Sequence, residues 1–123
     1  MTKIVSEREK IELAKAYVAL SNAHKLEFVG PMFAVDAIYQ SPNVGVFNGR
    51  GAIGDMMTSF FSRFPDVYWE ARDYRCTNNG DVRFDFQMTA RKAGTGEEIR
   101  RAGVEEIKFT NEGLIVRVEV RSQ

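Results

Sequence analysis

A single cysteine, Cys76, in a chain of 123 residues leaves no partner for an internal disulfide and no thiolate set for a metal. A lone thiol fits a reducing compartment, so a cytoplasmic protein is expected. Histidine is equally scarce. His24 stands alone, which excludes a histidine pair at ligating spacing, and no H-E-x-x-H occurs. It follows the N-A of an inter-helix turn and reads as a surface residue. Net charge is missing as well, because seventeen basic residues balance seventeen acidic ones. Without a bulk field, neither nucleic acid nor an anionic bilayer is an expected partner. The apolar runs are too short to span a membrane, and M-T-K-I-V-S-E-R-E-K lacks a signal-peptide core. The glycine-rich G-V-F-N-G-R-G lacks the strand before it and the lysine that a phosphate loop needs. No metal or other cofactor is expected.

What remains is a chain rich enough in apolar residues, 44% of the total, to form one domain over residues 1–123. Ser6 and Glu9 form a capping-box pattern, and the helix after them carries Ile11, Leu13, Ala14, Tyr17, Val18 and Leu20 on its apolar side. It should fray near Asn22. A short helical piece, K-L-E-F-V-G-P-M-F-A, must bend at Gly30-Pro31. A strand A-I-Y-Q-S ends at Pro42. After G-R-G, the residues Ile53, Met56, Met57, Phe60, Phe61 and Phe64 recur at helical spacing until Pro65 stops the helix. That stripe reads as core. Four antiparallel strands follow at about 67–77, 81–92, 97–109 and 114–121, parted by N-N-G-D, A-G-T-G and N-E-G. The class is α+β.

In A-G-V-E-E-I-K-F, 102–109, alternation sets Glu105, Ile107 and Phe109 on one face and Val104, Glu106 and Lys108 on the other. A carboxylate in line with two large apolar residues suits a cavity wall better than a solid core. The inner face also takes Val67, Trp69 and Ala71, then Val82, Phe84, Phe86 and Met88, then Val116, Val118 and Val120. The outer face takes Tyr68, Glu70, Arg72 and Tyr74, Arg83 and Asp85, and Arg117, Glu119 and Arg121. Helices preceding the meander can cover only one face. A homodimer through the outer face is therefore expected, with a ladder of cross-strand ion pairs as the plainer alternative.

Three helices ahead of a curved meander, with V-F-N-G-R-G-A-I entering the third, resemble the nuclear transport factor 2-like superfamily. Tyr17-Val18-Ala19-Leu20-Ser21-Asn22, Phe60-Phe61, Phe64-Pro65-Asp66 and the final hairpin at Gly113 are similar to its SnoaL-like polyketide cyclase and ketosteroid isomerase branches. The resemblance covers about Ala16 to Val120. It implies a cone-shaped fold of three N-terminal helices packed in a curved antiparallel sheet around a deep pocket. It also implies an oxyanion-stabilising role for Tyr17 and a protonated acidic role for Glu105, the pairing known from ketosteroid isomerase itself. Where the isomerase keeps its aspartate base before a proline, this chain has Ser41, which cannot abstract a proton at neutral pH unaided. Val120 stands where many cyclase-like members carry an aspartate.

Burial would raise the pKa of Glu105 and a nearby arginine would lower it. Its structural partners would be Arg101, on the same strand face, or the Tyr17 hydroxyl. The pocket wall is expected to draw on Phe33, Tyr39, Ser41, Met56, Phe60, Trp69, Phe84, Phe86 and Val118, each of which could equally be plain core. Arg50 is expected to bind loop carbonyls. Cys76 has no base beside it and is not a nucleophile. Two functions stay open for a small apolar ligand. One is a cofactor-independent isomerase, cyclase or dehydratase; the other is a non-catalytic binding or assembly module on the same scaffold.

Overall fold

The computed structural model describes residues 4–122. Helix α1, Glu7–Asn22, begins with the full capping box: the Glu9 amide donates to Ser6 Oγ and the Ser6 amide to Glu9 Oε1. Its buried side is Ala14, Tyr17, Val18 and Ser21. At its end, Asn22 hydrogen-bonds both backbone groups of Trp69, each at 2.8 Å. The His24 ring stacks on Phe61 with centroids 4.9 Å apart. This end of the helix covers a sheet edge that would otherwise be open.

The chain turns at Gly30-Pro31 as expected, but the helical piece ends sooner than the sequence suggests. Helix α2 is a single turn, Leu26–Val29, and runs through a 3₁₀ turn at Gly30–Met32 straight into strand β1, Phe33–Ser41. Pro31 cannot donate a helical hydrogen bond, and from Phe33 onward the backbone is extended. Phe33 and Ala34 are therefore strand, not helix. A second strand, β2, Gly45–Asn48, pairs antiparallel with β1 where the sequence shows only a glycine-rich stretch. The expected lack of a strand before Gly49 is thus corrected, although the phosphate-loop lysine is still absent. Gly49 has φ 96° and its amide donates to the Ala37 carbonyl at 2.7 Å. Helix α3, Arg50–Arg63, follows.

Strands β3 (Tyr68–Cys76), β4 (Val82–Arg91), β5 (Glu98–Phe109) and β6 (Ile115–Ser122) form the meander. The six-stranded sheet has the order β2-β1-β6-β5-β4-β3. All neighbours are antiparallel except β1 and β6, which run parallel. The sheet is thus mixed at that one seam.

Two bulges help to curve it and shift side chains between faces. In β3, Arg72 pairs with Asp85 and Arg75 with Arg83, so Asp73 and Tyr74 together oppose Phe84. Asp73 adopts a left-handed φ of 59°. Tyr74, expected outside, therefore turns inward against Phe84, with ring centroids 4.8 Å apart. In β6, Lys108 pairs with Arg117 but Phe109 with Ile115, leaving Val116 unpaired. Ile115 is buried in place of the expected Val116.

The outer face carries the ion pairs Arg83 to Glu106 at 2.8 Å and Arg75 to Asp85 at 3.3 Å. Glu119 meets both Arg117 and Arg121. These side chains are partly or largely exposed, so they fix register more than they stabilise.

Candidate functional site

Helices α1 and α3 lie over the concave side of the sheet without filling it. A cavity of about 70 Å³ remains. Drug-sized ligand pockets run to several hundred Å³. The cavity therefore has room for a small molecule, or for a larger one if its flexible Met56, Met57 and Met88 walls move.

The cross-strand register lays out the cavity in rows. Trp69, Met88 and Arg101 pair at one end, Ala71, Phe86 and Gly103 in the middle, and Phe84, Glu105 and Val120 deeper still. From above, α1 contributes Tyr17, Val18 and Ser21, and α3 contributes Met56, Phe60 and Phe61. The β1–β2 hairpin adds Tyr39 and Ser41, with Val44 in its turn.

Glu105 is buried, 6% exposed, among apolar walls. Among the described residues it makes no ion pair and no side-chain hydrogen bond, and no fully enclosed side-chain polar atom lacks a partner. Its carboxyl must therefore open onto the cavity. Burial alone pushes its pKa up to about 8, with no offset from Arg101. The expected Arg101 partner is thus not engaged. At neutral pH Glu105 is mostly protonated and is a hydrogen-bond donor.

Three phenols share this environment. Burial, and then the Glu105 charge, holds the Tyr17 and Tyr39 hydroxyls well above the ordinary tyrosine range. The same causes push Tyr74 up to about 12. All three stay neutral donors. Tyr17 and Tyr39 line the cavity, while Tyr74 stands behind Phe84.

Of the residues expected at the wall, Tyr39, Ser41, Met56, Phe60, Trp69, Phe84 and Phe86 border the cavity together with Tyr17 and Glu105. Phe33 and Val118 do not. Phe33 is 1% exposed and backs the Tyr17 ring edge-on at 5.8 Å. Val118 is fully buried one residue pair deeper, between Tyr39 and Ile107, and Val120 borders the cavity instead.

Ser41 Oγ accepts the Asn43 amide at 3.2 Å and so closes the hairpin turn. Arg50 is exposed and binds no loop carbonyl, contrary to expectation. Cys76 lies at the end of β3 near the Glu7 carbonyl, and burial raises its thiol pKa, which keeps it unreactive. Among the described residues, no three His, Cys, Asp or Glu side chains are grouped to hold a metal ion, and no helix is long and apolar enough to cross a membrane.

Met57 and Met88 could have been chosen from the helical and alternating patterns that already carried their neighbours. Val44 could not, because the strand after it has no apolar alternation.

The comparison with curated proteins finds no match. Solved structures match nearly end to end. The epoxide hydrolase/cyclase-like enzyme SalBIII, of pyran ring formation in the polyether salinomycin, is 18% identical. The match covers 96% of this chain and 93% of that one with a TM-score of 0.86. An uncharacterised cystatin-fold protein from Novosphingobium aromaticivorans is 20% identical over 91% of this chain and 97% of its own, with a TM-score of 0.81. A Mycobacterium tuberculosis protein in complex with estradiol-17beta-hemisuccinate is 13% identical over 90% and 91%, with a TM-score of 0.79. At these identities the likeness is one of fold. The sequence profile of the SnoaL-like domain, by contrast, matches residues 14–118 directly, so this chain belongs to the SnoaL-like domain family.

Proposed function

We propose that the cavity binds a small, largely apolar molecule bearing an oxygen function, which accepts hydrogen bonds from Tyr17, Tyr39 and protonated Glu105. The observation that carries this reading is the Glu105 carboxyl, open to an apolar cavity with no protein partner among the described residues. A buried carboxyl left unpaired is unfavourable by several kcal/mol if charged, so its neutral form facing a ligand oxygen is the economical arrangement. Donors held in a desolvated site stabilise an oxygen on which charge develops. Glu105 is also the one carboxyl on the cavity wall, and a pKa of about 8 suits proton transfer near neutrality. The reaction class is a cofactor-independent isomerisation, cyclisation or dehydration. The steroid ester in the Mycobacterium tuberculosis protein and the cyclase-like chemistry of SalBIII support a ligand of this kind.

One observation favours the non-catalytic reading. Ser41 Oγ is engaged by Asn43, and among the described residues no second carboxylate borders the cavity to take a proton while Glu105 gives one. Acetophenone in heavy water separates the two readings. Binding should shift the Tyr17 and Glu105 resonances, and Tyr17→Phe should weaken it roughly five- to tenfold, as loss of one net hydrogen bond does. Catalysis predicts exchange of the methyl protons that Glu105→Gln abolishes. Binding without exchange would leave the assembly or carrier role, and no binding at all would overturn the cavity reading.

The outer sheet face supports a homodimer. Val46, Ile38 and Tyr68 are exposed around its ion pairs. Reversing charge at Arg83 or Arg117 should lower the mass seen by light scattering toward that of one chain. An unchanged mass in both variants would count against this interface. The free thiol of Cys76 supports a reducing, cytoplasmic setting.

A further inference from the structure

Among the described residues, Arg101 is the one cation on a cavity wall that is otherwise apolar or neutral apart from Glu105. It is half-buried, yet among the described residues it has no carboxylate within ion-pair distance and no side-chain hydrogen bond. Four arginines of the outer face, by contrast, are matched: Arg83 by Glu106, Arg75 by Asp85, and Arg117 and Arg121 by Glu119. Its place in the fold explains the difference. Arg101 shares a row with Met88 and Trp69, whose side chains offer it no acceptor carboxylate.

Arg101 and Glu105 are on the same face of β5, four residues apart, or about 13 Å along an extended strand. A guanidinium at one end and neutral oxygen donors at the other make the cavity polar at its ends and apolar between. Arginine presents a planar fork that matches a carboxylate in bidentate fashion, and a partly desolvated site strengthens that pair.

Resting on the reading of the cavity as a ligand site, we infer that Arg101 is its specificity-determining residue and that the ligand is a small monoanionic acid. Its carboxylate pairs with Arg101, and its apolar body carries a second oxygen inward to Tyr17 and Glu105. Because the chain has no net charge, long-range attraction would not favour an acid over its neutral analogue. Discrimination must come from this local contact.

The experiment compares 3-benzoylpropanoate with 3-benzoylpropanamide, which share the ketone and ring and differ only in the charged end. Isothermal titration should show the acid binding at least about tenfold tighter than the amide, as one charge-assisted hydrogen-bonded pair provides. Arg101→Gln should remove that advantage, weakening the acid far more than the amide. Arg101→Lys should keep part of it. Arg50→Gln, which removes an exposed arginine away from the cavity, should change neither. Equal binding of acid and amide to the wild type, or an undiminished preference in Arg101→Gln, would overturn the inference while leaving the cavity reading intact. If neither compound binds, the cavity reading fails and the inference fails with it.

Discussion

Between pH 4.5 and 8 the folded protein should lose stability on the order of 5 kcal/mol through Glu105 alone, and Glu105→Gln should abolish that loss. The unfolded chain gives up this proton near pH 4.5, whereas burial holds the folded carboxyl protonated up to about pH 8. In that window the native state binds more protons than the unfolded one, so stability falls as pH rises. The stabilisation is complete below the unfolded pKa and spent above the folded one. Urea unfolding at pH 5, 6.5 and 8.5 should show the wild type and Glu105→Gln close together at the acid end. The glutamine variant should then pull ahead by several kcal/mol at the alkaline end. Asp81, also raised by burial, slopes the same way but is common to both proteins. Parallel curves would mean that Glu105 ionises as freely in the fold as in water. The same titration governs function: any hydrogen bond that Glu105 donates to a ligand oxygen should fade above pH 8.

The stripe on α3 and the alternation in β4 and β5 were legible because burial there follows one helical or one strand period. Glu105 stood out for the same reason, as a carboxylate where the period demands an apolar residue. What the sequence hid lies where the period breaks. The extra residue at Asp73 turns Tyr74 inward, and the one at Val116 hands its buried place to Ile115. Neither bulge carries a glycine to announce it. β2 was hidden differently: its four residues are exposed or half-buried, so they have no apolar alternation to read. Arg101 was visible as a neighbour of Glu105 along the strand. That no carboxylate faces it depends on the row it shares with Met88 and Trp69, which only the paired sheet reveals.

The same depth that isolates Glu105 depends on a glycine two residues before it. At Gly103 an added methyl would collide with the backbone carbonyl of Arg121 and would stand 3.1 Å from the Phe86 ring. A side chain could rotate away, but the carbonyl belongs to the neighbouring strand and can retreat only if β5 and β6 part. Gly103→Ala should therefore lower unfolding stability by roughly 3 kcal/mol or more, at the upper end of overpacking penalties, because a backbone must give way. It should also shift the Phe86 and Glu105 resonances, since both face the same cavity. Gly54, inside α3, meets nothing within 4 Å of the same added carbon. There the identical substitution should stabilise by about 0.5–1 kcal/mol, through helix propensity and a less free unfolded chain. Opposite signs for one chemical change would locate the constraint in the β5–β6 contact rather than in glycine loss as such. A loss at Gly103 no larger than a few tenths of a kcal/mol would mean that the two strands separate easily, and the wall bearing Glu105 and Val120 would then be softer than the packing around it implies.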